Sequence, residues 1–436
     1  MNASHKDSVF ITYEDDIKKM YPTKEEQEKV LYILYKAKEE SEKKAIKRIR
    51  EVKPFSIFIK RLGVKIKYGI HWKKPFYPFR LLRNYFLTYL YKFLGMKKHV
   101  FRGIEFAITY KCNFHCTHCL CSRIDETKYR DELTPEEYKR LVKEAMKMGA
   151  TTFGLEGGEP LVNKEWREII KSFIPHYNHV IISTNGWLFS EETVKECAKL
   201  GVDTINFSLD SSIPELHDLF RRKKGSHERV LNAIKYCKKY GIKPIINTVV
   251  HKGNLYTSGL LNLLEFAEDE KVMINMLFAK GVGEFKSKES MLDRDDLNAY
   301  GKLVEPYAYC NIHHSFKEHK GTLNYNYGSG GCPGVSEMFN MTPYGDVLNC
   351  ANMHIYFGNV REKSLKDIRE NTYKTSPFGD YRPCFLTLDE HFMAIYYNLL
   401  EEKTHITLEE FMDVVKAYEQ KNNISLYPGI PIKEKE

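Results

Sequence analysis

Between Gly103 and Phe278 six short apolar runs alternate with helical patterns, and this alternation limits the fold more than any other feature of the 436-residue chain. The runs are GIEFAIT, TTFGLEG, HVIIST, TINFSL, KPIINTVV and VMINML. Each has the length of a buried strand, and the segments between them carry the apolar spacing of amphipathic helices. In TPEEYKRLVKEAMKMGA, Thr134 can cap the first turn, Pro135 suits the first helical position and Glu137 completes a capping box. Strands joined through helices run parallel, so the expected fold is α/β: a partial (β/α)6 TIM-like barrel with a helical N-terminal extension and a small C-terminal domain.

The chain is long enough for two or three domains. We expect an N-terminal extension over 1–100, the barrel over 101–304, and a smaller domain over 305–436 where Gly, Pro and Cys accumulate around short strands and a last helix near LEEFMDVVKAYEQ. In the extension, Val30, Ile33, Leu34 and Ala37 form one helical stripe for packing. From Pro54 to Leu94 the composition turns aromatic and basic, which predicts a loop followed by an amphipathic helix from about Phe79.

Composition excludes whole classes. With 42% hydrophobic and 29% charged residues the chain is neither disordered nor collagen-like. The net charge of +9 is concentrated in residues 52–100, which hold twelve Lys or Arg and no Asp or Glu, leaving the rest at −3. Such a block attracts phosphates on a membrane surface, a nucleic acid or an anionic substrate, although no specific nucleic-acid motif accompanies it. The N-terminus MNASHKDSVF has no secretory apolar core, and LLRNYFLTYLYKFLG is broken by Arg83, Thr88 and Lys92. The expectation is a cytoplasmic protein, free or peripheral at an anionic membrane.

Ten cysteines in that compartment are expected as thiols or metal ligands rather than disulfides. CNFHCTHC sets Cys112, Cys116 and Cys119 directly after the first strand, at the strand end where barrel proteins carry their ligands. Three thiolates so spaced can hold one face of an iron-sulfur cluster and leave one iron of a four-iron cluster open, while a structural zinc site is the plainer alternative. GLEGGEP follows the second strand with Gly157, Gly158, Glu159 and Pro160, where glycines admit close backbone approach and a carboxylate can accept from an ammonium. STNGW follows the third strand with Ser183, Thr184, Asn185 and Gly186; FSLDSS ends the fourth with Ser208 and Asp210. HDLFRRKKGSHERV adds Arg221 and Arg222.

Taken together, these segments resemble the radical S-adenosylmethionine (SAM) superfamily from about Gly103 to Phe278. The resemblance implies that Cys112, Cys116 and Cys119 hold a 4Fe-4S cluster whose open iron is chelated by SAM. It implies further that Gly157 to Pro160, Ser183, Asn185, Ser208 and Asp210 line the SAM site, that Arg221 meets the SAM carboxylate with Arg222 as the other register, and that His118 stands against the adenine or packs in its loop. Ser211 departs from the family, which often has Gly there.

CPGVSEMFNMTPYGDVLNC places Cys332 and Cys350 on either side of a hairpin turning at Tyr344-Gly345. This resembles the auxiliary-cluster domains called SPASM and, in shorter form, twitch. Because only Cys384 follows in YRPCF, the chain supplies one auxiliary iron-sulfur cluster on Cys332, Cys350 and Cys384, with Cys310 as a candidate fourth ligand and zinc or plain thiols as the alternative. Cys197 and Cys237 lie inside helical patterns as small buried hydrophobes, and Cys121 is either a bystander or a hydrogen-atom donor.

What the resemblance implies is an enzyme that takes an electron from a reductant such as flavodoxin or ferredoxin, cleaves SAM to a 5′-deoxyadenosyl radical and abstracts hydrogen from a substrate. The basic segment directs the substrate expectation toward anionic or membrane-associated molecules. Peptide-modifying and sugar-modifying enzymes are the alternatives within the family, and a non-catalytic iron-sulfur or zinc protein is the alternative outside it.

Overall fold

The computed structural model describes residues 13–44, 54–69, 74–94, 99–121, 131–281, 291–311, 332–380, 382 and 384–428. Part of the basic segment, including Trp72 and Lys73, lies outside these residues. Helices α1 (Glu14–Met20), α2 (Lys24–Lys44), α3 (Pro54–Gly69) and α4 (Tyr77–Phe93) precede the sheet. Then come β1 (Gly103–Ala107), α5 (Pro135–Met148), β2 (Thr152–Glu156), α6 (Trp166–Ser172), β3 (His179–Thr184), α7 (Glu191–Leu200) and β4 (Thr204–Ser208). The series continues with α8 (Pro214–Arg221), α9 (Ser226–Tyr240), β5 (Lys243–Val250), α10 (Ser258–Asp269), β6 (Met273–Phe278), α11 (Arg294–Val304) and β7 (Cys310–Asn311).

All six expected strands form, and they pair in chain order and in parallel, with Gly103 opposite Thr152 and Ile181 opposite Thr204. Right-handed crossovers between strands added always on the same side put every crossover helix on one face. The other face is left as the concave inside of a partial barrel. The helix-facing side chains are apolar and buried: Ile104, Phe106, Phe153, Val180, Ile182, Ile205 and Phe207. Phe106 meets Tyr138 of α5 edge-on at 5.2 Å and Phe173 at 5.3 Å. The start of α5 is the expected capping box, with Glu137 N donating to Thr134 Oγ1 at 3.3 Å and Thr134 N donating to Glu137 Oε2 at 2.9 Å.

The C-terminal region adds β8 (Met338–Met341), β9 (Asp346–Leu348), β10 (Ile355–Asn359), α12 (Leu365–Thr375), α13 (Phe385–Leu388), α14 (Glu390–Glu402), β11 (Ile406–Thr407) and α15 (Leu408–Asn422). The β8–β9 hairpin turns at Tyr344-Gly345, where Gly345 has φ +89°. Strand β8 lies parallel to β1, Glu105 opposite Asn340, so among the described residues these strands and those of the barrel make one sheet of eleven. Arg361 then ties the region to α5, its Nε and Nη2 reaching the Glu137 carboxylate at 2.6 and 2.9 Å.

Residues 54–69, expected as a loop, are a helix. Ile57, Val64 and Tyr68 are buried on one side while Phe58, Ile59, Leu62 and Ile66 are exposed on the other, so apolar residues occupy both faces and no clean period marks the helix in the sequence. Helices α3 and α4 pack under the N-terminal ends of the strands. Tyr68 OH donates to Pro244 O at 3.1 Å, and Arg61 Nη2 donates to Glu305 O at 2.8 Å. Arg80 Nη1 donates to Tyr177 O at 2.9 Å, Asn84 Nδ2 to Gly149 O at 2.8 Å, and Lys74 Nζ to Asn178 O at 2.6 Å while pairing with Asp203. The described helices of the basic segment thus form a floor beneath the barrel, at the end opposite the cysteine loop.

Candidate functional site

The chain leaves β1 through Ile108 and Thr109 into the loop carrying Cys112, Cys116 and Cys119. The glycine pair after β2 lies directly against that loop. Gly157 has φ +130° and a Cβ there would stand 2.2 Å from Thr109 O; one on Gly158 would stand 2.3 Å from Lys111 O. Gly158 N and Glu159 N donate to Thr109 O and Lys111 O at 2.8 and 2.9 Å. In this structure the absent side chains therefore make room for the cysteine loop itself, which the sequence did not indicate.

Glu159 is fully buried, and its carboxylate accepts from Thr184 Oγ1 and from Asn185 N at 2.9 Å. Burial raises its pKa to about 7 against the pull of those donors. Asn185 extends the link, since its Nδ2 donates to Asn113 Oδ1 at 2.8 Å and lies 3.9 Å from Cys112 Sγ. A chain of polar contacts thus joins the ends of β2 and β3 to the first cysteine. Pro160 opens the short 3-10 turn that follows.

Arg221 is the arginine that reaches a cysteine of the loop. Its Nε donates to Asp210 Oδ2 at 2.7 Å and its Nη1 lies 3.9 Å from Cys116 Sγ, both side chains being buried. Arg222 pairs with Asp16 of α1 at 2.8 Å, and its Nη1 donates to the loop carbonyl His115 O at 3.5 Å. His118 stacks on Phe220 at 4.4 Å, and Phe220 stacks in turn on His251 at 5.2 Å. Burial lowers the His118 pKa to about 3, and its Nδ1 has no hydrogen-bond partner among the described residues.

Of the three thiols of the loop Cys116 is buried and Cys112 and Cys119 are half-buried. Burial pushes Cys112 up to about 12, with Glu159, Cys116 and Cys119 adding to the rise, and it raises Cys116 despite Arg221. Soft donors that are costly to ionise alone suit a cationic iron cluster, on which a coordinating thiol gives up its proton. Among the described residues no three of His, Cys, Asp and Glu are close enough together to hold a single metal ion. Cys121 sits beside Cys119, its Sγ 3.8 Å from Gly157 O.

The concave face below this loop carries a set of polar side chains among apolar ones such as Ile181 and Leu277. Ser183 accepts from Asn206 Nδ2 at 3.2 Å, Ser208 occupies the next inward position on β4, and Asn275 joins Asn247 and Asn311 at 2.9 and 3.0 Å. Glu105 and Glu156 share this face, and burial raises both pKa values, Glu105 adding to the rise of Glu156. Neither carboxylate was singled out in the sequence, where each looks like an ordinary polar position in a half-buried strand.

In the C-terminal region Cys332, Cys350 and Cys384 come together: burial raises the Cys350 thiol, and Cys332 and Cys384 add to it. Asn349 Nδ2 lies 3.6 Å from Cys332 Sγ and the buried Lys280 Nζ 3.6 Å from Cys384 Sγ. Lys280, just past β6, had no sequence signal. Cys310 is not brought to this group. It pairs with Ile274 at the start of β6, about 13 Å of strand from Phe278 at the other end, beside Arg61 and Glu268. Cys197 and Cys237 are buried in the helix layer, as expected.

Residues 106–258 match the Radical SAM superfamily, and residues 332–386 match SPASM, an iron-sulfur cluster-binding domain. An AdoMet-dependent heme synthase of Methanosarcina barkeri is 27% identical over 294 residues, 62% of this chain and 82% of that protein. A GTP 3',8-cyclase of Syntrophomonas wolfei is 30% identical over 203 residues, 45% of this chain, and the match spans 61% of the cyclase's length. Among solved structures, Streptococcus suis SuiB bound to S-adenosylmethionine superposes with a TM-score of 0.53 at 20% identity, covering 76% of this chain and 81% of SuiB. That likeness concerns the fold. A radical SAM domain works with a 4Fe-4S cluster and SAM, and a SPASM domain holds auxiliary iron-sulfur clusters. The chain therefore carries a radical SAM domain and a C-terminal SPASM domain, and the relatives it resembles are radical SAM enzymes.

Proposed function

We propose that Cys112, Cys116 and Cys119 hold the SAM-cleaving cluster and that the concave face below them receives the substrate. A four-iron cluster with bound SAM supplies one-electron cleavage to methionine and a 5′-deoxyadenosyl radical, the electron coming from a donor such as flavodoxin or ferredoxin. The chain's residues prepare that site. Glu159 holds Thr184 and Asn185 in place, Asn185 fixes the cysteine loop through Asn113, and Arg221, anchored on Asp210, presents positive charge beside Cys116 for the SAM carboxylate. Gly157, Gly158 and Pro160 shape the β2 end, and Ser183 and Ser208 offer hydroxyls to SAM. Cys332, Cys350 and Cys384 hold one auxiliary cluster beside Lys280.

The concave face also informs the substrate. Two half-buried carboxyl groups and a row of asparagines favour a substrate that brings hydrogen-bonding groups over a hydrocarbon tail. This supports a polar substrate, a peptide or a sugar-like molecule, over the lipid one that the basic segment suggested. The described helices of that segment lie at the far end of the strands, away from this face. SuiB, a structural relative, has been solved bound to its precursor peptide.

The observation that carries the reading is the link from Glu159 through Asn185 to the three-cysteine loop. Anaerobically reconstituted, reduced protein is expected to convert SAM to methionine and 5′-deoxyadenosine, and Cys116→Ala to lose that activity. Undiminished cleavage by Cys116→Ala would mean that the cluster is elsewhere.

A further inference from the structure

The floor helices α3 and α4 have two apolar faces, and only one of them is used. In α4, Tyr77 and Asn84 are buried against the barrel, whereas Phe79, Leu82, Phe86, Tyr89 and Phe93 are 59% to 87% exposed. At about 100° per residue these five fall within an arc of roughly 80°, directly opposite the docked side. Helix α3 repeats the arrangement with Ile59, Leu62 and Ile66 facing away from Ile57, Val64 and Tyr68. Of the twenty large hydrophobic side chains exposed among the described residues, twelve belong to residues 58–94. An apolar face of this density on a water-soluble helix marks a surface that something else covers.

Charge says what covers it. Residues 52–100 carry twelve cations and no anion. Four of the cations, Arg61, Lys67, Lys74 and Arg80, bond to carbonyl groups at the base of the barrel. Lys60 and Arg83 are exposed beside the apolar faces, and the segment's own sequence holds no carboxylate to neutralise them. A protein partner would need an acidic groove of matching shape. An anionic bilayer needs neither, since aromatic and aliphatic side chains enter the headgroup boundary while Lys and Arg stay among the phosphates. No helix among the described residues is long and apolar enough to cross a membrane, so the fit is to its surface.

We propose that the outward faces of α3 and α4 seat this enzyme on an anionic lipid bilayer. The cysteine loop stands at the opposite end of the strands, so the mouth of the site opens away from the lipid. The inference is independent of the proposed cluster ligands and substrate.

The test is co-sedimentation of the full reconstituted protein with vesicles of phosphatidylcholine alone or with one quarter phosphatidylglycerol. Binding is expected to be at least tenfold stronger to the anionic vesicles, each engaged cation being worth about fivefold, and to fall in 0.5 M salt. Phe79→Ser/Phe86→Ser/Phe93→Ser is expected to weaken it by at least about tenfold. Ile59→Ser/Ile66→Ser should do so independently. Melting temperature and SAM cleavage of both variants should match the parent, because these side chains touch neither core nor site. Equal binding to both vesicle types, or full binding by both variants, would overturn the proposal. So would a dimer that forms without lipid and disappears in the variants, which would make a second copy of the chain the occupant.

Discussion

Lys74 offers a quantitative test of how the floor is attached. Its ammonium pairs with Asp203 and donates to Asn178 O and Gly201 O, and the two charged side chains are only 5% and 9% exposed. Burial lowers the lysine's pKa, and Asp203 opposes the shift. Lys74→Met would keep the bulk of the stem but strand a buried carboxylate, a loss of about 3–5 kcal/mol. Unfolding entropy of about 2.1 cal/mol/K per residue gives the 436-residue chain roughly 0.9 kcal/mol/K. The melting temperature should therefore fall by about 3–5 °C. Lys74→Met/Asp203→Asn removes both charges, while the amide oxygen can still accept from Val180 N, which now donates to Asp203 at 2.8 Å. At least half of the loss should return. Differential scanning calorimetry of the reconstituted single and double variants measures this directly. A fall below 1 °C for the single variant, or a double variant no better than the single, would refute the view that charge pairing holds the floor.

Three further outcomes are expected. Glu159→Gln loses two charge-assisted hydrogen bonds worth about 1.5–3 kcal/mol each at most, and should weaken SAM binding at least tenfold while leaving the iron content intact; equilibrium dialysis with labelled SAM and iron analysis separate the two. Replacing Cys112, Cys116 and Cys119 together with Ala should leave about half of the bound iron, as expected for one remaining thiolate-held cluster; a folded variant without iron would reassign Cys332, Cys350 and Cys384. Glu137, held down to about 2 chiefly by its hydrogen bonds to Arg361, has a folded pKa below the ordinary 4.5. Its stabilisation is present above pH 4.5 and is lost as pH falls toward 2, so acid unfolding of Arg361→Gln should show a shallower pH dependence in that window.

The barrel was legible because its signals are local. Each strand is a short apolar run, and Thr134, Pro135 and Glu137 announce a helix within four residues. The cysteine spacing was equally local. What escaped the sequence depends on distant partners. The pairing of β8 with β1 has no signature in MFNM. Helix α3 was hidden because Ile59, Leu62 and Ile66 fill the face that usually carries the polar residues. Cys310 looked like a ligand by residue type, yet strand register fixes it beside Ile274. Lys280 and the Glu105–Glu156 pair are single polar residues whose surroundings come from other strands. Glycines 157 and 158 were identified as special, but the atoms that need the space belong to Thr109 and Lys111 of a loop far earlier in the chain.

The β1–β8 pairing also bears on how the protein is made. Gly103 waits for Met338, 235 residues later, to complete its hydrogen bonds. At about 5–20 residues per second, the free edge of β1 stays open for roughly 10–50 s after it leaves the ribosome. Such an edge invites pairing with other nascent chains. The first strand of the barrel is therefore among the last to be sealed, and the C-terminal region acts as the closing piece of biosynthesis as well as a holder of cysteines.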